Sequence, residues 1–191
     1  GDIANKQLSF WQDRLGGDLP NLLPPVSDAH LEVPTYKGDR VYFNISNELK
    51  DRLKQFCINN GVTPFMVLIS IYYILLYRYS GQEDIIIGTP VANRKRLELE
   101  NLIGFFVNTL ALRVNLSGNP MYKDFLKNVS EVSLDAFDNQ DLPFEILVEK
   151  LNLQRDLSKN PIFQTMFVFQ NTDNPSVSFE DLSMEVEYIY N

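Results

Sequence analysis

The sequence predicts an α/β fold, a two-layer sandwich in which helices pack on a mixed β-sheet. Two apolar runs, Ile85–Ile87 and Phe105–Val114, are typical of strands buried within a sheet. Helical patterns introduced by Thr63–Pro64 and by Pro120 alternate with these runs along the chain. Strands that alternate with helices indicate a layered α/β architecture, and the sequence contains no internal repeat or low-complexity tract.

Residues 1–40 are predicted to form a crossover helix followed by a proline-rich connector. A short helical pattern contains Leu8, Phe10, Trp11 and Leu15 and is followed by Gly16–Gly17. The prolines that come next are Pro20, Pro24, Pro25 and Pro34. Because proline at this density interrupts helices and central strands, we expect an extended connector. Residues 41–191 are then expected to form one compact subdomain.

The subdomain is predicted to begin with a strand and a helix. Val41, Phe43 and Ile45 alternate with polar or amphipathic neighbours, which indicates a strand. Ser46 is suited to cap a helix that ends at Gly61. The apolar stripe of this helix is predicted to consist of Leu49, Leu53, Phe56 and Ile58.

A second helix is predicted from Thr63–Pro64 to about Tyr79, and it is apolar on most sides. It is therefore expected in the middle of the domain. Its apolar run, Phe65–Tyr77, is shorter than the roughly 20 residues that span a bilayer, so we expect a buried helix and no membrane segment.

The last third of the chain is predicted to contain two helices and two strands. Pro120 introduces a helix and Pro143 introduces a shorter one. Ile162–Phe169 indicates a strand with apolar residues on both faces, and Met184–Tyr188 alternates like a strand that is open on one side. The apolar face of the first of these helices is predicted to carry Phe125, Val129, Val132 and Ala136.

Composition limits the classes of function. A chain of 191 residues with 45% apolar residues can form a proper core. A net charge of −8 argues against nucleic acid as a partner, and the short basic cluster Arg94–Arg96 is expected to be a solvated loop. One cysteine, Cys57, forms no internal disulfide and is expected to be a packing thiol. Together with the lack of a visible secretory signal, it favours a cytoplasmic location.

Residues for proton transfer or metal binding are scarce. The one histidine, His30, lies among the prolines of the connector, where we expect no catalytic role. Without a second histidine or cysteine no zinc site is expected, and no glycine-rich phosphate loop or Gly-x-Ser-x-Gly motif is present. We therefore expect no catalytic residue, no metal and no directly bound cofactor in this chain.

Polar residues at three places could have structural or functional roles. Asn108 and Thr109 interrupt an apolar strand, which predicts either a hydrogen bond from the Asn108 amide to a neighbouring loop or a polar lining for a substrate channel. Asn139, Gln140 and Asp141 precede Leu142–Pro143, where polar side chains would cap a helix start. Asn160 precedes Pro161, as in a turn that leads into a buried strand.

Taken in order, these segments resemble the later motifs of a peptide-synthetase condensation domain. The motifs are IGFFVNTLALR at residues 103–113, NQDLPFE at 139–145 and RDLSKNP at 155–161, preceded by DIIIGTPVANR at 84–94. Phe10–Trp11 resembles the tryptophan-containing stretch at the start of the C-terminal half of such domains. The family's catalytic motif, two histidines followed three residues later by Asp-Gly, does not occur in this sequence.

The resemblance implies a chloramphenicol acetyltransferase-like fold, in which two α/β halves enclose a tunnel. Carrier proteins bring thioester-bound amino acids or peptides on phosphopantetheine arms, and a peptide bond of an antibiotic or secondary metabolite is formed. The chain is expected to be the C-terminal half and to be inactive alone. The residues expected near the tunnel, by motif position, are Asn108, Thr109, Gln140, Asp141 and Asn160.

The partners implied by the resemblance are the N-terminal half and peptidyl carrier proteins. Neither nucleic acid nor membrane is expected. An exposed half-domain face predicts an apolar patch of more than a few hundred Å², which self-association would cover. Other interpretations are a non-catalytic docking or recruitment module, an epimerisation or heterocyclisation relative, and a small acyltransferase with Asp or Glu as base.

Overall fold

The computed structural model describes residues 2–22, 38–93, 102–104, 106–152 and 160–170. The helices in these ranges are α1 (Asp2–Leu15), α2 (Asn47–Asn60), α3 (Pro64–Ser80), α4 (Tyr122–Asp138) and α5 (Phe144–Lys150). The strands are β1 (Asp84–Val91) and β2 (Asn108–Asn115). His30, the basic cluster 94–96 and the strand predicted at 184–188 lie outside the described residues.

Strand β1 lies in the centre of the described sheet and pairs in both directions. It is antiparallel to β2, with Ile87 opposite Leu112. On its other edge, the Gly88 N–H donates to the Thr165 carbonyl at 3.0 Å, and the Phe167 N–H donates to the Gly88 carbonyl at 2.9 Å. These two bonds form a parallel bridge between Gly88 and Met166. The predicted α/β class with a mixed sheet is therefore confirmed.

Consecutive isoleucines of β1 are buried on both faces of the sheet, as their continuous apolar run predicts. Ile85, Ile86 and Ile87 are exposed by 1%, 2% and 0%. They pack with α3, whose Ile69 and Tyr73 are fully buried. This pairing of a buried strand with an apolar helix forms the centre of the core.

The predicted strand at residues 41–45 is wrong. The structure has no strand between residues 38 and 46, and Val41 and Phe43 are 88% and 84% exposed. Alternating apolar residues form a strand only where another strand completes the hydrogen-bond ladder, and sequence alternation does not specify that partner. The strand predicted over Ile162–Phe169 is likewise reduced to the single bridge at Met166, although Ile162 and Phe163 are buried.

The ends of α2 are confirmed, whereas its predicted apolar stripe is wrong in part. The Ser46 Oγ accepts a hydrogen bond from the Leu49 N–H at 3.2 Å, and Gly61 ends the helix in the left-handed conformation at φ 63°. Cys57 is the residue that α2 buries, against Met66 of α3. Ile58 is 65% exposed because one residue further turns the side chain by about 100° around the helix.

Helix α3 starts where the sequence predicts. The Thr63 Oγ1 accepts a hydrogen bond from the Met66 N–H at 3.3 Å, and Pro64 occupies the first turn. The predicted central location of α3 is correct for one of its faces only, because Ile71 and Leu75 on another face are 50% and 48% exposed. Within the described ranges, no single helix is long and apolar enough to cross a membrane, and only the α2–α3 pair, bent by 103°, meets that test together.

Helix α1 and residues 16–22 are attached to the same core. Trp11 and Leu15 are 3% and 1% exposed within it. The Arg113 guanidinium bonds to Asp84 at 2.7 Å and also donates to the Gly16 carbonyl at 3.0 Å. The hydrogen bond to Asp84 raises the pKa of Arg113, which therefore stays charged. The domain boundary predicted at residue 40 stays a prediction, because residues 23–37 are not described.

Gly88 has a steric role in β1. A Cβ at this position would lie 2.4 to 2.8 Å from three carbon atoms of the Phe163 ring. Real Cβ atoms do not approach other atoms so closely, and β1 is fixed on both edges by hydrogen bonds. The ring of Phe163 therefore requires glycine at position 88.

We predict that Gly88→Ala destabilises the fold by about 1–3 kcal/mol through overpacking against Phe163. Gly38→Ala is the matched control, because a Cβ there meets no atom within 4 Å. Urea unfolding of both variants measures the difference. Partial recovery in Gly88→Ala/Phe163→Leu would assign the loss to the ring, and an unchanged stability of Gly88→Ala would contradict this account.

Candidate functional site

The candidate site is built around the loop of residues 139–144, which comprises the connection from α4 to α5 and the first residue of α5. Side chains from two distant elements hold this loop: Gln7 and Trp11 from α1, and Asn108 from β2. Three of the predicted site residues, Asn108, Gln140 and Asp141, thereby come together.

The Asn108 side chain clamps the loop from the first position of β2. Its Nδ2 donates to the carbonyls of Gln140 and Leu142, both at 2.8 Å, and its Oδ1 accepts from the Phe144 N–H at 3.0 Å. The residue is only 8% exposed. An amide in an apolar strand therefore has the hydrogen bonds to a neighbouring loop that one of the two interpretations predicts, while the channel lining stays a prediction.

Gln7 holds the same loop from α1. Its Nε2 donates to the Asp141 Oδ2 at 2.8 Å, and its Oε1 accepts from the Leu142 N–H at 2.8 Å. One turn further along α1, the Trp11 indole N–H donates to the Asn139 carbonyl at 2.9 Å. Both the start and the middle of the loop are thus attached to one helix.

The predicted capping of α5 by the polar residues of the loop is corrected by these contacts. The Asn139 Nδ2 donates to the Asp135 carbonyl at 2.8 Å, and the Gln140 Nε2 donates to the Phe137 carbonyl at 2.6 Å. Both side chains therefore satisfy carbonyls at the end of α4, where an α-helix leaves acceptors open. The first N–H of α5 is bound by Asn108 of β2 instead.

The other two predicted site residues lie outside this set of hydrogen bonds. Thr109 is half-buried and lies opposite Pro90 in the sheet. The Asn160 Oδ1 accepts from the N–H groups of Ile162 and Phe163 at 3.1 and 3.3 Å, which is the turn that the sequence predicts. Asn160 is connected to the loop indirectly, because the Phe163 ring packs on Phe144 at 5.6 Å between centroids.

An open groove of about 560 Å³ borders the loop on the side of α1. Its lining is mostly apolar, with the exposed Asp141 carboxylate at the loop. The lining residues are Asp2, Ile3, Ala4, Gln7, Asp141, Leu142 and Pro143. This shape can bind and orient a partner or substrate group.

The two buried groups with a raised pKa lie away from the groove. Within the described ranges no group of three potential metal ligands exists. Burial raises the pKa of the Cys57 thiol and of the Tyr73 hydroxyl, which donates to the Leu112 carbonyl at 2.7 Å, and neither residue lines the groove. These two groups are therefore protonated structural residues near neutral pH.

Sequence reasoning missed Gln7. The signal was present, because Gln7, Trp11 and Leu15 are spaced four apart and share one helix face. A glutamine on a stripe that otherwise buries Trp11 and Leu15 needs a hydrogen-bond partner inside the fold.

Comparison with known proteins shows the family. The condensation-domain model matches residues 2–191, so the chain belongs to the condensation-domain family. Its relatives include gramicidin S synthase 2 of Brevibacillus brevis, 42% identical over 183 residues, which are 96% of this chain and 4% of that protein. Bacitracin synthase 3 of Bacillus licheniformis is 42% identical over 184 residues, or 96% of this chain and 3% of that protein. The chain thus spans a small part of these relatives.

Solved structures agree with the family and the fold. The X-domain from teicoplanin biosynthesis has a TM-score of 0.79 at 27% identity, over 85% of this chain and 36% of that one. A four-domain nonribosomal peptide synthetase bound to AMP and glycine has a TM-score of 0.83 at 26% identity, over 91% of this chain and 13% of that one. The chain is therefore similar to part of a nonribosomal peptide synthetase condensation domain, and the predicted chloramphenicol acetyltransferase-like fold class is confirmed.

We predict that Asn108→Asp destabilises the protein by roughly 2–4 kcal/mol at neutral pH, because a buried carboxylate would face two carbonyl oxygens. Repulsion and burial raise the folded-state pKa of the new carboxyl, so its penalty decreases as pH falls through that value. Thermal unfolding at several pH values measures this loss of stability and its pH dependence. Asn44→Asp, exposed in the segment before α2, is the control and is expected to change stability by less than about 0.5 kcal/mol. Equal effects of both substitutions would refute the clamp.

Proposed function

We propose that the chain is the C-terminal subdomain of a condensation domain that joins amino acids or peptides held on carrier proteins. The observation that carries this proposal is the family match over residues 2–191, combined with coverage of only 36% of the X-domain chain. The chain then forms one wall of a substrate tunnel. The other wall and the histidine motif belong to a preceding half.

The proposed reaction needs no metal or redox partner. The acceptor amine attacks the carbonyl carbon of the donor thioester, a C–N bond forms, and the C–S bond breaks. The phosphopantetheine thiol leaves, and the proton lost by the amine balances the released thiolate. A histidine of the preceding half is proposed to orient or deprotonate the amine. This chain has a single histidine, His30, in its proline-rich segment.

The proposed contribution of this chain is placement of the reactants. Correct placement of two reactants lowers a barrier by up to about 7–11 kcal/mol, provided that the walls are rigid. The 139–144 loop is suited to such a wall, because Asn108, Gln7 and Trp11 hold it by hydrogen bonds of 2.8 to 3.0 Å. The residues proposed near the tunnel remain Asn108, Thr109, Gln140, Asp141 and Asn160.

The exposed apolar residues of α3 support the proposal that another body covers this face of the helix. Ile71, Leu75 and Tyr79 are spaced four apart and are 50%, 48% and 65% exposed. A row of large apolar residues on one helix face is typical of a surface that another body covers. We propose the preceding half as that body, and self-association as its substitute when this chain is alone.

A second candidate is a docking module without catalysis. A specific observation favours it: the X-domain from teicoplanin biosynthesis was solved in complex with OxyB, and this chain matches that X-domain at 27% identity with a TM-score of 0.79. The two candidates differ in the histidine motif of the preceding half, which an enzyme requires and a docking module does not.

We predict that the 191-residue chain alone transfers no aminoacyl group between loaded carrier proteins. The complete domain, with the preceding half attached, is expected to form the dipeptidyl thioester, which mass spectrometry of the carrier detects. Replacing the second histidine of its motif by alanine is the matched control and is expected to abolish transfer.

Three outcomes decide between the candidates. Transfer by this chain alone would refute the proposed division of labour and favour a small acyltransferase with a carboxylate base. A complete domain that binds a partner protein but transfers nothing would establish the docking module. An epimerised or heterocyclised product would assign the chain to one of those relatives.

A further inference from the structure

We propose that Gln7 is a positioning residue, which sets the orientation of the Asp141 carboxylate and of the 139–144 loop at the groove. Its significance for condensation rests on the proposed function, whereas its effect on the loop does not. Gln7 is 5% exposed, and its partners lie 134 and 135 positions away in the sequence.

The hydrogen-bond pattern admits one orientation of the Gln7 amide. Its Nε2 only donates and its Oε1 only accepts, while the Asp141 carboxylate only accepts and the Leu142 N–H only donates. A flipped amide would place two acceptors together and two donors together. The pair therefore fixes the Asp141 side chain and the Leu142 backbone at the same time.

The residues that follow Gln7 on the same face of α1 are buried. Four residues further along α1, Trp11 is 3% exposed and donates to the Asn139 carbonyl at 2.9 Å, and Leu15 is 1% exposed in the core. Gln7, Asp141 and Leu142 all line the groove of about 560 Å³. Helix α1 thus holds the loop side of the groove through Gln7, with Trp11 one turn further along.

The test is the substitution Gln7→Glu, which keeps the shape of the side chain and removes its donor. At neutral pH the introduced carboxylate would face Asp141, with Asp2 as the other charged residue of the groove lining. We expect exchange of the Leu142 amide proton, measured by NMR, to accelerate on the order of tenfold or more. We also expect a shift in the fluorescence of Trp11, which is the single tryptophan.

The pH dependence of the Gln7→Glu effects follows from the direction in which the pKa of the introduced carboxyl is shifted. Repulsion and burial raise the folded-state pKa of the introduced carboxyl above the ordinary glutamate value of about 4.3, so the protonated form regains a donor as pH falls. The effects of Gln7→Glu on exchange and fluorescence are therefore expected to diminish toward about pH 5.

A charge swap provides the rescue. In Gln7→Glu/Asp141→Asn the new amide at position 141 donates to the new carboxylate at position 7, which also accepts from the Leu142 N–H. The wild-type exchange rate is therefore expected at neutral pH. In the complete condensation domain, Gln7→Glu is expected to lower kcat on the order of tenfold or more, and the double variant to restore it. Gln55→Glu, on the exposed surface of α2, is the matched control and is expected to change neither measurement.

The outcomes separate this inference from the proposed function. Unchanged exchange and fluorescence in Gln7→Glu, or no rescue by the double variant, would overturn the positioning role. An active wild-type domain whose kcat is unaffected by Gln7→Glu would overturn the role in transfer alone. A wild-type domain that transfers nothing, while exchange and fluorescence follow the Gln7–Asp141 pair, would refute the proposed function and leave the control of the loop by α1 established.

Discussion

The constraint on which the site depends is the hydrogen bonding of the connection between α4 and α5. The peptide groups of residues 139–144 find partners in the side chains of Asn108, Gln7 and Trp11. A buried peptide group without a partner costs about 1–3 kcal/mol. Removal of any of these side chains is therefore expected to displace the loop. The loop is therefore held to α1 and β2 through Leu142 and its neighbours, although Asp141 and Pro143 are exposed.

Elements that depend on local rules could be predicted from the sequence. Ser46 and Gly61 mark the ends of α2, and Thr63–Pro64 marks the start of α3, because capping involves residues a few positions apart. The predicted strand at 41–45 and the exposed Ile58 show the limit of such rules. A strand needs a partner and a helix face needs a neighbour, and both are set by contacts between residues far apart in the sequence.

The site was predicted in the same uneven way. Asn108 could be predicted as a residue with a special role, because an amide in an apolar strand must find a partner. The structure gives it three hydrogen bonds. Asn139 and Gln140 were assigned to the wrong helix end, since a polar run between two helices can cap either one. Gln7 lies 134 positions from Asp141, and no local pattern connects the two.

The groove offers a mostly apolar surface bounded by the Asp141 carboxylate, which is suited to the placement of groups. The described residues with a shifted pKa are Cys57, Tyr73 and Arg113, and none of them lines the groove. Under the proposed function this chain contributes the placement of reactants, which a shift of about 1 Å in the loop would alter. Because α1 holds the loop through Gln7 and Trp11, the residues of α1 are part of the same packed unit as the loop even though they precede the subdomain that is predicted to begin at residue 41.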